Sequence, residues 1–248
     1  MAPENPTTAP PHRRAVFATT HWSVVLKAGG DSTSVVKQAL ETLCKTYWFP
    51  LYAYVRRCGH SPSDAEDLTQ GFFERLLRLE SIADVKREKG KFRSFLLASM
   101  NHFLADDRER SMAKKRNAAR TVPLDISTAE TRYSSEPSND SSPDRLFERQ
   151  WAMALLESTL QNLREEYESA GKGKLFMDLR FALSGDRNSI PYNQLAQNLQ
   201  MSEESLRVAV HRLRQRYRQV LRLTVGNTVA NPSEIPDELD YLRRVIAG

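Results

Sequence analysis

Apolar side chains recur along most of this chain at helical spacing. Val35, Val36, Ala39, Leu40, Leu43 and Tyr47 fall on one face at a 3.6-residue period, and Pro50 then interrupts the run, so a kink or restart is expected there. Leu51, Tyr54 and Val55 carry a second stretch to the Gly59-His60 break. Ser61-Pro62 reads as a helix start, with serine able to cap and proline suited to the first helical position. The helix that follows puts Leu68, Phe72, Phe73, Leu76 and Leu77 on one face and Asp64, Glu66, Asp67, Gln70 and Glu74 on the other. From Phe92 onward, Phe92, Phe95, Leu96, Ser99, Phe103 and Leu104 repeat at i, i+3, i+4, i+7, i+11 and i+12, the stripe of an amphipathic helix.

Between Thr121 and Ser142 the pattern gives way to Ser, Pro, Asn and Asp, the composition of a tether. Ser142-Pro143 repeats the cap-plus-proline start, and Leu146, Phe147, Trp151, Ala154 and Leu155 open a second helical region. No internal repeat and no strand pattern stands out. The expected fold class is all-α, two small helical domains joined by a flexible polar linker. The expected divisions are a disordered leader over 1–18, a first domain with an N-terminal extension over 19–120, a linker over 121–143, a second domain over 144–223 and a tail over 224–248. In the extension, Thr20 is placed to cap an added helix that packs Trp22 and Leu26; a loosely held arm fits the same residues.

The second domain carries the most specific pattern. Residues 189–217 read SIPYNQLAQNLQMSEESLRVAVHRLRQRY. Ser189 is a cap for a short helix with core positions Leu195, Ala196 and Leu199. Gln200-Met201 form a tight turn and Ser202 caps a second helix. In that helix Leu206, Val210, Leu213 and Tyr217 face inward, while Arg207, Val208, His211, Arg212, Gln215 and Arg218 face out. Two short helices, a brief turn and a small residue at the crossing are the parts of a helix-turn-helix, whose second helix fits the DNA major groove. An αα-hairpin with an arginine-rich exterior satisfies the same pattern. The absence of acids from Arg207 to Arg222 favours the DNA reading, because a merely solvated helix usually mixes charges at i, i+4.

Charge sharpens this picture. The formal net charge is +5, but residues 86–120 alone carry +7 and residues 202–222 carry +4, which leaves the rest of the chain at −6. Two basic blocks on an acidic chain point to a polyanion touched at two places, although solvated helix faces would look alike by charge alone. Cys44 and Cys58 show neither CxxC nor metal spacing and read as reduced thiols. The first twenty residues hold four prolines and no apolar signal core, and no run approaches the roughly 20 residues that cross a bilayer, so a cytoplasmic protein without membrane insertion is expected. No Gly-rich phosphate loop, metal-spaced cluster or nucleophile elbow is present, so no enzyme activity and no cofactor is expected.

These residues together resemble the extracytoplasmic-function sigma factors of the sigma-70 family, the bacterial RNA polymerase initiators. The stretch Asp64-Ala-Glu-Asp-Leu-Thr-Gln70, followed by Gly-Phe-Phe-Glu-Arg-Leu77, resembles their region 2; residues 90–101, GKFRSFLLASMN, continue that likeness; and the helix-turn-helix resembles region 4. The resemblance implies that Asp64, Glu66, Asp67 and Gln70 dock on the clamp helices of the polymerase β′ subunit and that region 4 meets the β flap. It implies that a loop between residues 84 and 92 captures a flipped base of the −10 element. Lys91, Arg93, Asn101, Arg108 and Arg110 would then line the separated strand, a role that suits cations beside freed phosphates. Ser205, Arg207, Val208, His211, Arg212, Arg214 and Arg218 would read the −35 element as duplex. Duller roles compete: acids in a first helical turn are stabilised by the helix dipole, and Phe92, Phe95 and Phe103 suit a core better than a stacking platform.

The chain departs from the family pattern at both ends. Residues 224–248 carry net −2 beside the +4 of the preceding helix, so autoinhibition by this C-terminal tail on that basic face is expected as an alternative to a separate anti-sigma factor. Two other functions fit less well. A free-standing helix-turn-helix regulator normally dimerises to read paired half-sites, and no heptad seam is visible. A helical adaptor would show no salt-dependent DNA affinity.

Overall fold

The computed structural model describes residues 34–77, 91–113, 126–135, 142–183 and 192–248. Among them the chain is all-α, as expected, with one isolated antiparallel bridge between Lys91 and Val229 in place of any strand. Nine helices follow one another: α1 (Ser34–Arg57), α2 (Pro62–Leu77), α3 (Phe92–Ala113), α4 (Ile126–Ser134), α5 (Pro143–Ser169), α6 (Gly173–Leu179), α7 (Tyr192–Asn198), α8 (Glu203–Gly226) and α9 (Ile235–Ala247). Short 3₁₀ turns over Arg180–Leu183 and Pro232–Glu234 follow α6 and precede α9. The expected leader and the Phe17–Val24 extension lie outside the described residues, as does the loop from 84 to 90.

The starts match the local chemistry. α2 begins at Pro62 behind Ser61, whose Oγ accepts the Asp64 backbone N–H at 3.2 Å while its hydroxyl donates to the Asp64 carboxylate at 2.6 Å. α5 begins at Pro143 behind Ser142, whose Oγ accepts the Arg145 N–H. At the far end of α5, Gly171 sits at φ +68°, a left-handed conformation that glycine adopts without a Cβ clash, and the chain reverses directly into α6.

α1 does not break at Pro50. It runs unbroken through the proline, so a restart of the helix there is corrected. Leu51, Tyr52 and Val55, just past it, are fully buried, and Trp48 stacks on Tyr52 with ring centroids 5.3 Å apart. Tertiary packing on both sides of the proline offsets the one backbone hydrogen bond it removes.

Two hydrophobic cores form. The first gathers α1, α2 and α3 around Tyr47, Leu51, Phe72, Leu76, Phe92 and Leu96. The second gathers α5, α6, α7 and α8 around Leu163, Phe176, Leu179, Ala196, Leu206, Val210 and Leu213. The two are not independent modules on a string. Phe147, Trp151, Ala152 and Leu155 from the first half of α5 belong to the first core, and so do Val225, Val229, Ile235 and Leu242 from the end of the chain. α5 and α8 therefore each enter both cores. The indole Nε1–H of Trp151 donates to the Tyr47 hydroxyl at 2.9 Å, so the deepest aromatic of the shared core has its one polar group satisfied.

The expected flexible linker also needs correction within its described part. Residues 126–134 are helical, with Ala129 buried in the first core. Glu130 accepts from the Tyr52 hydroxyl at 2.6 Å and from Arg56 at 2.7 and 3.0 Å, and the guanidinium holds its carboxyl below the usual carboxylate range. The Ser, Pro, Asn and Asp residues that predict a tether cluster at 134–142, of which 136–141 lie outside the described residues. The helix at 126–134 is docked by its buried alanine and well-placed carboxylate, together with Tyr133 against the core and Arg132 over the Phe49 ring at 4.1 Å.

Removing Trp151 tests the shared core. Trp151→Ala is expected to lower the free energy of unfolding by about 3–5 kcal/mol, and Tyr47→Phe, which removes only the hydroxyl, by about 1 kcal/mol. Urea denaturation followed by circular dichroism measures both.

Candidate nucleic-acid interface

The helix-turn-helix is assembled by α7, the turn at Gln200-Met201 and α8. Ser202 caps α8, its Oγ accepting the Ser205 N–H at 3.1 Å. The Met201 N–H donates to the Ala196 carbonyl at 2.9 Å, which closes the turn over the small residue at the crossing. Gln200 bears the strain: its φ is +52°, the left-handed region that glycine or asparagine usually occupies. Leu206, Val210 and Leu213 are buried and Tyr217 is half-buried, while Arg207, Val208, His211, Arg212, Gln215 and Arg218 are exposed.

The exposed side chains of α8 divide between two concavities. Arg207, His211, Arg214 and Arg218 converge with Tyr192 and Val210 on a cleft of about 330 Å³. The Arg207 guanidinium lies 4.4 Å from the Tyr192 ring centroid, and its pairing with Glu203 is loose at 3.6 Å and exposed. Arg214 is anchored at the rear of the cleft by donating Nε–H to the Ala182 carbonyl at 2.8 Å. Ser205, Val208 and Arg212 instead border a larger groove of about 680 Å³, shared with Tyr167, Leu175 and Met201. A helix with three arginines and a histidine on one wall and an apolar-lined groove on the other suits phosphate contact on the first side and a partner surface on the second.

In the first core the expected acidic face splits. Asp64 and Asp67 are exposed on α2, whereas Glu66 and Gln70 are nearly buried, with Gln70 Nε2–H donating to Glu66 Oε1 at 3.0 Å. Burial, and then the charge of Asp67, raise the Glu66 carboxyl above its ordinary value. Glu66 and Gln70 are thus corrected from surface contacts to a pair inside α2's packed side.

The basic residues of α3 split as well. Asn101 and Arg108 are exposed, with Asn101 Oδ1 accepting the Tyr54 hydroxyl, and the Arg110 side chain lies outside the described residues. Arg93 is corrected: it is buried, and faces protein rather than solvent. Its Nε donates to Glu238 Oε1 at 2.7 Å and Nη2 to Glu238 Oε2 at 3.4 Å; Nη1 lies 3.7 Å from Glu148. Its guanidinium sits 3.9 Å from the Tyr241 ring centroid and 5.0 Å from that of Trp151. Lys91, half-buried, reaches the same carboxylate at 2.9 Å. Sequence reading had no means of seeing this partnership, because Glu238 is 145 residues from Arg93.

The match that bears on these elements covers α2 and most of α1 and α3. Residues 45–112 match the family model Sigma-70 region 2. That segment is therefore similar to a sigma-70 region 2, and the exposed Asp64 and Asp67 and the α3 residues Asn101 and Arg108 all lie within the matched residues. No curated protein and no solved structure matches the chain. Among the described residues no group of His, Cys, Asp and Glu is arranged to hold a metal, and no helix is long and apolar enough to cross a membrane.

Two substitutions test the local physics. Gln200→Gly should stabilise the protein by about 1 kcal/mol by relieving the left-handed backbone, read as a rise in thermal midpoint. Glu66→Gln should raise stability at neutral pH, where the buried carboxylate is charged and penalised. That gain should shrink as the pH falls and the wild-type carboxyl is protonated, which thermal melts from neutral to acid pH would show.

Proposed function

We propose that this protein is a sigma factor of the extracytoplasmic-function type, which binds core RNA polymerase in the cytoplasm and directs promoter recognition and melting. The observation that carries the proposal is the pairing of a sigma-70 region 2 with a helix-turn-helix whose recognition helix exposes Arg207, His211, Arg212 and Arg218. In this reading Asp64 and Asp67 present the acidic face of α2 to the polymerase β′ clamp helices. Asn101 and Arg108 lie along the separated −10 strand. The α8 face reads the −35 duplex, with the cleft around Arg207 and Arg218 taking backbone phosphates and Ser205, Val208 and Arg212 nearest the base edges. The groove beside Tyr167, Leu175 and Met201 is the surface offered to the β flap. Catalysis belongs to the polymerase, and the proposal asks for no cofactor of this chain's own.

The alternative, a free-standing helix-turn-helix regulator, explains α7 and α8 but gives no role to region 2. Run-off transcription decides between them. Added to sigma-free core polymerase on genomic promoter fragments, the protein should yield discrete transcripts. Asp67→Lys and Arg212→Glu should each reduce them by at least about tenfold, as expected for a lost or reversed charge contact worth ~1.4 kcal/mol or more. Duplex binding by the protein alone, with no transcripts and no affinity for core, would favour the regulator.

A further inference from the structure

The end of the chain does not lie on the recognition helix. α9 lays Ile235 and Leu242 into the first core and leaves Arg207, His211, Arg212 and Arg218 exposed, so the expectation that the tail covers that face is corrected. What shapes the face comes from α7 instead. Tyr192, the first residue of α7, is half-buried and packs against the second core, which makes its ring a fixed plate. The Arg207 guanidinium lies 4.4 Å from the centroid of that ring. The carboxylate of Glu203, one turn back along α8, is 3.6 Å from Arg207 and exposed, a contact that solvent screens. The ring, more than the carboxylate, sets where Arg207 points.

Position decides what Arg207 can touch. Residues 207, 211, 214 and 218 follow one another by three or four along α8 and share one side of the helix, while 204, 208 and 212 share another. The first set meets Tyr192 at the cleft between α7 and α8, and the second borders the groove on the other side. In a helix-turn-helix the first helix crosses the phosphate backbone while the second enters the groove. A side chain drawn toward α7 is therefore drawn toward phosphates. The chemistry of the cleft agrees. Among the described residues no Asp or Glu lines it, and its guanidinium groups can only donate. Phosphate oxygens only accept, whereas base edges in the major groove mix donors with acceptors. Arg214 spends its Nε–H on the Ala182 carbonyl, which fixes a second guanidinium on the same wall.

We propose that Tyr192 is a positioning residue, whose ring holds Arg207 over the cleft so that Arg207 grips a backbone phosphate instead of reading a base edge. This deepens the proposed function and rests on its duplex-binding half alone, not on the polymerase. An arginine has many rotamers, and one already ordered in the free protein loses less freedom when the phosphate arrives. The phosphate then takes over from Glu203, whose carboxylate is too distant and too wet to compete. Base reading falls to the other side of the helix, to Val208 and Arg212.

Salt dependence separates the two roles. A labelled duplex that the full chain enriches from a random library is titrated with the protein at several salt concentrations, and again with each base pair of the site substituted in turn. Arg207→Gln should lower the steepness of log affinity against log salt by about 0.9, the value for one phosphate contact, and weaken every substituted duplex by the same factor. Tyr192→Leu should weaken binding roughly threefold or more and flatten the slope in the same sense. Tyr192→Phe, which keeps the ring, should recover both. In the double variant Tyr192→Leu should add nothing to the loss from Arg207→Gln, whereas general damage to the fold would add. A changed preference at one base pair in Arg207→Gln, with the slope unaltered, would make Arg207 a base reader and overturn the proposal. Wild-type binding by Tyr192→Leu would overturn it too, as would a Tyr192→Phe as weak as Tyr192→Leu, since the hydroxyl would then be the contact. If Tyr192→Leu does not fold, the Nε–H resonance of Arg207, assigned by its absence from Arg207→Lys, decides: it should lie upfield through the ring current of Tyr192, and an ordinary shift would refute the contact. If the wild type enriches no duplex, with or without core polymerase, the DNA reading itself has failed and the positioning role falls with it.

Discussion

The buried carboxylate of Glu238 constrains more of this molecule than any other single group. It lies at the junction of α3, α5 and α9, with Arg93 supplied by the first and Lys91 by the residue just before it, Glu148 and Trp151 by the second, and Tyr241 beside it on the third. A charge this deep is tolerable only if it is paired and its remaining lone pairs are satisfied. The double contact from Arg93 and the single contact from Lys91 meet that demand, and the aromatic faces of Tyr241 and Trp151 take up the guanidinium surface left over. Loss of one partner would strand the others. The position of α9, and through it the end of α8, follows from this cluster and not from the apolar contacts alone, which would tolerate a slide along the helix.

That constraint reaches the recognition surface because α8 is continuous. Its first half builds the helix-turn-helix on Leu206, Val210 and Leu213, and its last turn places Val225 in the region 2 core. A helix is stiff over this length, so whatever holds its end sets where its arginines point. α5 makes a second bridge, with Trp151 in one core and Leu163 in the other. The expected picture of two beads on a polar thread gives way to two cores pinned together by a pair of long helices. In space, the halves share a wall.

What was legible in the sequence was whatever depends on near neighbours. The inward stripe of α8, the Ser61-Pro62 and Ser142-Pro143 starts and the exposed arginines all follow from spacing of three or four residues and from local capping. What escaped depends on partners far along the chain. Arg93 carried the composition of a strand-facing cation, and only Glu238, brought round by α8, makes it a core residue. Glu66 and Gln70 sat in an acidic run, but helical periodicity at i and i+4 puts them together on the packed side of α2 while Asp64 and Asp67 face out. Pro50 was read by its intrinsic preference, which burial of Leu51, Tyr52 and Val55 overrides. The docked helix at 126–134 was hidden by a polar composition, yet Ala129, Glu130, Arg132 and Tyr133 all contact the first domain or α5.

The same reasoning revises what the basic blocks mean. Residues 86–120 were set apart by their charge, and a polyanion was the natural partner to expect. Two of those charges are matched within the chain by a tail whose own excess is negative. The charge of +4 on residues 202–222 is treated differently: Arg216 pairs with Glu166 at 2.7 Å and Arg214 caps a carbonyl, while Arg207, Arg212 and Arg218 stay at the surface. One basic surface is thus left exposed, while part of the other is matched by the chain's own carboxylate. The contact that matches the second is ionic, so its strength depends on how far water is kept from it.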